Sequence, residues 1–273
     1  MTVSRDDAGP DFVEAIARGV DVLRCFGESR SPMTLSEIAT ATGLARATAR
    51  RIILTFEHLG YIRAVAEGYT VTPRVLELGT AHTLSSGIWE LARLHLIDLV
   101  QATNQAASIA QLDGSDIIYV ARVAVPKMVT LVVTVGMRLP AESTALGKVL
   151  LSSLNPDELD VALATPHRSA VAPFRAQDHD ELRAELREIR ARGWALTDEE
   201  LHPGVRSVAA PLRNGEGAIF AAVNIAALAS EMDLTELTDR CLPLLLRAAG
   251  QISADHVLLS KAPVATVASE PPL

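Results

Sequence analysis

The chain has 273 residues, enough for one large or two medium domains with a full core. Its 25 Lys+Arg against 33 Asp+Glu leave a net charge of -8, which excludes a uniformly basic nucleic-acid coat but leaves room for a local basic face. A 49% hydrophobic and 21% charged composition excludes wholesale disorder.

The cysteines, Cys25 and Cys241, stand apart without CxxC or metal-ligand spacing, so neither a disulfide framework nor a zinc module is supported and a cytoplasmic protein is expected. The start is polar and acidic, without the apolar stretch of a signal peptide. The longest apolar stretch, Ala218 to Ala229, is interrupted by Asn224 and is too short to span a bilayer. Charge divides the chain: residues 1–80 carry a net -1, residues 81–273 a net -7, and within the first part Leu44 to Arg63 carries +3. A small unit with a local positive face therefore precedes a larger acidic one.

In the first unit, Phe12, Ile16, Val20 and Leu23 recur at helical spacing and predict an amphipathic helix burying that side. Ser31-Pro32 breaks it. Thr34 sits three residues before Glu37, a capping-box spacing that opens a short helix from Leu35 to Thr42 with Leu35, Ile38 and Ala39 inward, and Gly43 ends it. From Leu44, Ala45, Ala49, Ile52, Phe56 and Leu59 form one stripe of a third helix, with Arg46, Ala47, Arg50, Arg51 and Leu54 opposite. Gly60 stops it, and Tyr61–Arg63 and Tyr69–Val71 read as a hairpin across Glu67-Gly68. Three helices, a Gly turn and a terminal hairpin describe a winged helix-turn-helix, whose third helix fits the major groove. Taken alone, three arginines would be no more than a solvated helix face; the helix, turn and hairpin around them turn the reading toward DNA.

The second unit opens with a helix over about Ser86 to Ala102, whose Ile88, Leu91, Leu94 or His95, and Leu99 share a side, a natural dimer contact. Ala106–Leu112 and Asp116–Val125 read as strands around Asp113-Gly114-Ser115, and Val129–Val135 is a β-branched run. A turn containing Pro140 leads to helices at Thr144–Ser153, from Asp157, and at Asp178–Arg192, closed by Gly193. Strands at Trp194–Thr197, Val205–Leu212 and Ala218–Ala226 follow, the last two around Arg213-Asn-Gly215, and a closing helix runs over about Leu234 to Leu258. Strand pairs interleaved with helices argue for an α+β domain with an antiparallel sheet.

Enzyme signatures fail. Gly147-Lys148 suggests a phosphate loop, but its first glycine would be position 142, which is Glu142, and Val149 follows the lysine. Gly215-Glu-Gly217 lacks a third glycine and precedes a strand. The seven histidines show no HExxH pattern, and there is no GxSxG elbow. No catalytic residue, metal site or cofactor is expected. Asp198-Glu199-Glu200 reads as a solvated charge run or as acids of which one reaches a ligand pocket.

Phe12-Val-Glu-Ala-Ile-Ala-Arg-Gly19, Leu35-Ser-Glu-Ile-Ala39, Thr42-Gly-Leu44, Arg50-Arg51 and Leu59-Gly-Tyr61 resemble the IclR family of bacterial transcriptional regulators. So do Gly136-Met-Arg-Leu-Pro140, Leu146-Gly-Lys-Val-Leu-Leu151, Gly193-Trp-Ala195, Asp198-Glu-Glu200, Val205-Arg-Ser-Val-Ala-Ala-Pro211 and Ala221-Ala-Val-Asn-Ile225, so the resemblance covers roughly residues 11 to 258. It implies an α+β architecture: an N-terminal winged helix-turn-helix joined by a linker helix to a GAF-like α/β effector-binding domain. On this reading 1–10 is a flexible N-terminus, 11–76 the DNA-binding domain, 77–103 linker and dimer helices, 104–258 the effector-binding domain and 259–273 a disordered tail.

The implied partners are double-stranded operator DNA, a small organic acid effector and a second copy of the chain, as dimer or dimer of dimers, with no membrane. Thr72-Pro-Arg-Val-Leu-Glu-Leu-Gly79, Ile118-Tyr-Val-Ala-Arg-Val123 and Arg138-Leu-Pro-Ala141 resemble the branch controlling protocatechuate, 4-hydroxybenzoate and β-ketoadipate catabolism. Ser143-Thr-Ala-Leu-Gly-Lys148 departs from that branch, where a Thr-Ser-Met-Gly-Arg-like segment is usual. The expected DNA-binding residues are Arg46, Ala47, Thr48, Arg50 and Arg51 with Arg63 on the wing. The resemblance places the effector against Met128, Leu131, Ala145, Leu146, Asp198, Val205 and Ser207, with Ala145 and Leu146 offering backbone N–H groups at a helix start. Alternatives are a regulator of another carbon-source or stress pathway, or an enzyme acting on a small organic acid.

Overall fold

The computed structural model describes residues 9–28, 32–78, 88–125, 133–175 and 177–261, which fall into two compact units dividing between 78 and 88. Of the ends expected to be flexible, 1–10 and 259–273, residues 1–8 and 262–273 lie outside the described residues, as do 79–87 of the linker, 29–31, 126–132 and 176, while Leu259 to Lys261, expected in the tail, belong to the closing helix.

The first unit contains α1 (Glu14–Glu28), α2 (Leu35–Thr42), α3 (Arg46–His58), and the antiparallel hairpin β1 (Ile62–Val65) and β2 (Gly68–Val71). The capping box is formed as expected: Glu37 N–H donates to the Thr34 hydroxyl while Thr34 N–H donates to the Glu37 carboxylate at 2.7 Å. Gly43 ends α2 at φ 65°, which sets the turn into α3. Met33 and Tyr69 exchange backbone hydrogen bonds of 2.9 and 2.8 Å, pinning the hairpin to the segment before α2. Gly68 is required there: at φ 139°, an added Cβ would stand 2.4 Å from Met33 O.

The buried helix faces differ from those the apolar spacing predicts. In α1 the buried side chains are Val22, Cys25 and Phe26, whereas Phe12, Ile16 and Val20 are exposed, Ile16 by 65%. The Phe12-Ile16-Val20 stripe is a genuine apolar side, but α2 and α3 pack on the other side of the helix. In α3, Ala49 and Ile53 are buried, Ile52 and Phe56 half-buried, and Ala45 and Leu59 exposed. The core stripe is rotated to include Ile53, which the spacing had left out.

The second unit begins at α4 (Ile88–Thr103), followed by β3 (Ala106–Asp113), β4 (Asp116–Val123), β5 (Arg138–Pro140), α5 (Ala145–Leu151), α6 (Pro156–Ala164), α7 (His179–Arg192), β6 (Ala195–Asp198), β7 (Val205–Arg213) and β8 (Ile219–Leu228). A helical turn at Leu234–Glu236 and a π segment at Leu237–Cys241 lead into α8 (Leu242–Lys261), so the closing helix is interrupted where one continuous helix was expected. The six strands form one antiparallel sheet in the order β5-β4-β3-β8-β7-β6. One face carries α4 and α8 over Ile109, Val208, Val223 and Ile225; the other carries α5 to α7 over Ala110, Tyr119, Ala195, Ala209 and Ala222. The small alanines on that second face leave depth for a cavity.

Three further expectations change. Arg138–Pro140 is an edge strand paired with Asp116–Ile118 rather than a turn, a position that tolerates the proline. In α4, Ile88, Ala92, Leu96 and Leu99 are buried while Leu91 and Leu94 point outward. The β-branched run Val129–Val135 falls mostly outside the described residues, and its last part, 133–135, is not strand. No helix of the described residues is long and apolar enough to cross a membrane.

Candidate nucleic-acid interface and ligand cavity

In the first unit α3 follows the Gly43 turn and leaves Arg46, Ala47, Arg50 and Arg51 exposed, with Thr48 half-buried beside them. Arg63 is exposed on β1 opposite Thr70. No described carboxylate forms an ion pair with any of these four arginines, unlike Arg18 and Arg74, which are held by Glu14 and Glu77. Ala45 offers no side-chain oxygen to the first turn of α3, so its N–H groups stay free of a side-chain cap. Four uncommitted cations and an open helix start suit phosphate and base edges.

In the second unit a cavity of about 200 Å³ lies between the alanine-rich sheet face and the start of α5. Its apolar wall includes Val133, Met137, Leu139 and Val171, and its polar wall Tyr119, Arg122, Thr197, Ser207 and Asn224. Strand register explains the polar wall. Thr197 pairs with Ser207, Ser207 with Ala226, and Ser108 with Asn224, so these side chains share the inner face.

Sequence reasoning missed Arg122. Along β4 the register steps from Ile109 opposite Ala121 to Ala110 opposite Tyr119, which leaves Val120 as an extra, bulged residue. Beyond the bulge the alternation is reset, so Tyr119 and Arg122, three apart, face the same way. The Arg122 guanidinium donates to the Ser108 hydroxyl at 2.9 Å, and no described carboxylate pairs with it. Burial pushes its pKa down, yet an arginine remains a cation at neutral pH. Burial pushes the Tyr119 phenol up to about 12, so it stands in the cavity as a neutral hydroxyl. Behind them, Asn224 Nδ2 donates to Ser207 Oγ at 2.9 Å, Ser207 Oγ donates to Ile225 O at 3.0 Å, and Ser108 N–H donates to Asn224 Oδ1 at 3.2 Å. The result is a fixed cation beside a satisfied polar network.

Of the expected effector residues, Ala145, Val205 and Ser207 line this cavity. Leu146 does not: it is fully buried in the core beneath α5. Nor does Asp198, which alternates with Thr197 to the opposite face and accepts from Arg206 Nε at 2.6 Å. Met128 and Leu131 lie outside the described residues. The start of α5 is a short, already capped one: the helix has seven residues, and its Gly147 N–H donates to the Thr144 hydroxyl at 3.0 Å. The described residues contain no group of three or more His, Cys, Asp or Glu able to hold a metal.

A winged helix with free arginines and a separate antiparallel domain enclosing a cationic cavity define a ligand-responsive DNA-binding regulator. The pattern described as the IclR helix-turn-helix domain matches residues 15–66, and that described as the bacterial transcriptional regulator IclR C-terminal matches residues 80–254. The chain belongs to the IclR family of transcriptional regulators and, as its relatives show, is a regulator rather than an enzyme. It is 34% identical over 240 residues to the Pca regulon regulatory protein of Pseudomonas putida, covering 88% of this chain and 82% of that one. Among solved structures, a Rhodococcus sp. RHA1 protein described as a transcriptional regulator shares 41% identity at a TM-score of 0.78, covering 91% and 100% of the two chains. The inducer-binding domain of the Acinetobacter transcription factor PobR, a double mutant in complex with 3-hydroxybenzoic acid, shares 30% identity at a TM-score of 0.55, covering 61% of this chain and 97% of that domain.

Proposed function

We propose that this protein regulates catabolism of aromatic acids by binding a single-ring hydroxybenzoate-type acid in the second unit and operator DNA through the first. The observation that carries the reading is the Arg122 guanidinium, paired with no described carboxylate, inside a cavity walled otherwise by apolar, hydroxyl, amide and imidazole side chains, none of them a carboxylate. A guanidinium recognises a carboxylate, and apolar walls with few polar groups suit a flat ring. At about 200 Å³ the cavity is smaller than the range of about 300–1,000 Å³ usual for larger ligands, which favours one ring. The 3-hydroxybenzoic acid complex of the PobR inducer-binding domain supports the same ligand class.

On the DNA side, Arg46, Ala47, Thr48, Arg50 and Arg51 enter the major groove and Arg63 of the hairpin meets the backbone. The protein acts as a dimer or dimer of dimers, and effector binding shifts the population of arrangements that present the two recognition helices.

Calorimetric titration of the full-length protein with protocatechuate, 4-hydroxybenzoate and β-ketoadipate tests the effector. Saturable binding of one aromatic acid, weakened in Ser207→Ala, is expected. Failure of both protocatechuate and 4-hydroxybenzoate to bind, whether or not β-ketoadipate does, would overturn the aromatic-ligand reading and leave the family assignment standing.

A further inference from the structure

Two sequence features that play no direct part in the cavity meet behind it. Lys148, of the rejected phosphate-loop signature, has a side chain only 1% exposed, and its Nζ lies 2.7 Å from Glu185 Oε2 and 2.6 Å from Glu200 Oε2. Glu200 belongs to the acidic run after β6. Gly147 is explained separately: an added Cβ would stand 2.1 Å from Ala141 O, so glycine lets α5 sit against the preceding turn.

A buried lysine is a weak way to stabilise a core, because desolvation offsets most of the ion-pair attraction. Its value lies in what it holds in register. Lys148 sits one turn beyond Ala145, which lines the cavity, while Glu200 precedes Leu201 and His202, which line it from the 199–204 loop. That loop is anchored at its ends by Glu199 N–H to Val205 O at 2.9 Å and Gly204 N–H to Glu199 Oε2 at 2.8 Å. In its middle, Arg175 N–H donates to Glu200 O and Phe174 N–H to Leu201 O, at 2.8 and 3.1 Å. Glu199 holds a left-handed φ of 58°, a conformation that persists in a non-glycine residue when its surroundings enforce it.

We infer that the Lys148–Glu200 pair is a latch that positions the 199–204 loop as a wall of the cavity and sets how slowly a bound acid leaves. The inference rests on the cavity being the effector site, but its first readout needs no ligand. Glu200→Ala and Glu185→Ala each remove one carboxylate from Lys148, and Glu185→Ala also removes the acceptor of Gln177 Nε2 at 3.1 Å, so a merely structural role for the lysine makes Glu185→Ala at least as disruptive as Glu200→Ala. In hydrogen exchange on the full-length protein, Glu200→Ala is expected to speed the amides of Phe174, Arg175 and Glu199 by at least ~10-fold, with Glu185→Ala within ~2-fold of the parent. Glu200→Gln, which can still accept from Lys148, restores most of the protection. In stopped-flow dissociation of 4-hydroxybenzoate, Glu200→Ala raises the off-rate by about tenfold and Glu185→Ala leaves it nearly unchanged. Equal effects of the two variants, or unchanged exchange in Glu200→Ala, would overturn the latch. Absence of 4-hydroxybenzoate binding by the parent protein would instead count against the ligand class, and hydrogen exchange would then decide the latch.

Discussion

Tyr119 and Arg122 are three residues apart on one strand and yet face the same cavity, because the bulge at Val120 resets the alternation between them. This places a cation and a neutral phenol on one wall. Arg122→Met is expected to weaken 4-hydroxybenzoate binding by about 1.5–3 kcal/mol, the usual loss for a hydrogen bond to a charged group, or roughly 10–150-fold in Kd. Calorimetry checks it, and Arg122→Lys should recover only part of the loss, since an ammonium cannot match a carboxylate with two parallel bonds.

Asp198→Ala separates the cavity from the acidic run beside it. Because Asp198 is bound to Arg206 on the outer side of β6, its removal should leave effector affinity within about twofold, the scale of surface changes away from such features. A loss as large as that of Arg122→Met would mean that Asp198 reaches the ligand after all.

On the DNA side, Arg50→Ala or Arg51→Ala is expected to weaken operator binding by about 1–3 kcal/mol where the side chain reads a base, or to lower the salt slope by about one where it holds a phosphate. Fluorescence anisotropy across a salt series distinguishes the two. Binding and slope both unchanged would remove that arginine from the interface.

Gly147→Ala drives a Cβ against Ala141 O, a backbone atom with no rotamer to yield, so overpacking should cost about 1–3 kcal/mol or more. Thermal unfolding should show the transition of the second unit falling while that of the first stays in place.

The Tyr119 phenol has a folded-state pKa of about 12 because burial disfavours phenolate, against about 10 in an unfolded chain. A raised acid pKa means the folded form holds its proton more tightly, so the associated stability is complete below about pH 10 and is lost as pH rises toward 12, by about 3 kcal/mol in all. Absorbance titration should show a late phenol step toward pH 12, and Tyr119→Phe should remove it.

Local chemistry was legible in the sequence. The Thr34–Glu37 box, the Gly43 stop and the hairpin depend on contacts within a few residues; the first two formed where their residues predicted, and the hairpin formed with its turn one residue earlier, at Ala66-Glu67, leaving Gly68 in β2 opposite Val65. Strand alternation also put Val205 and Ser207 together on one face, and both line the cavity. Which face a helix buries was less legible: α1 and α4 each carry more apolar residues than one partner can cover, and periodicity cannot tell the covered side from the uncovered one.

The sequence by itself determined that a three-helix unit with a local positive face and a hairpin precedes an acidic α+β unit, and that the chain resembles IclR regulators, because capping, turn chemistry and strand alternation are local. Only the tertiary structure decided the cavity. A single bulged residue brought Arg122 inward, cross-strand pairing gave Asp198 to Arg206 instead of a ligand, and Lys148 met Glu200 across 52 positions of chain. Those outcomes depend on register and long-range packing, where a shift of one residue turns a side chain from one face of a sheet to the other.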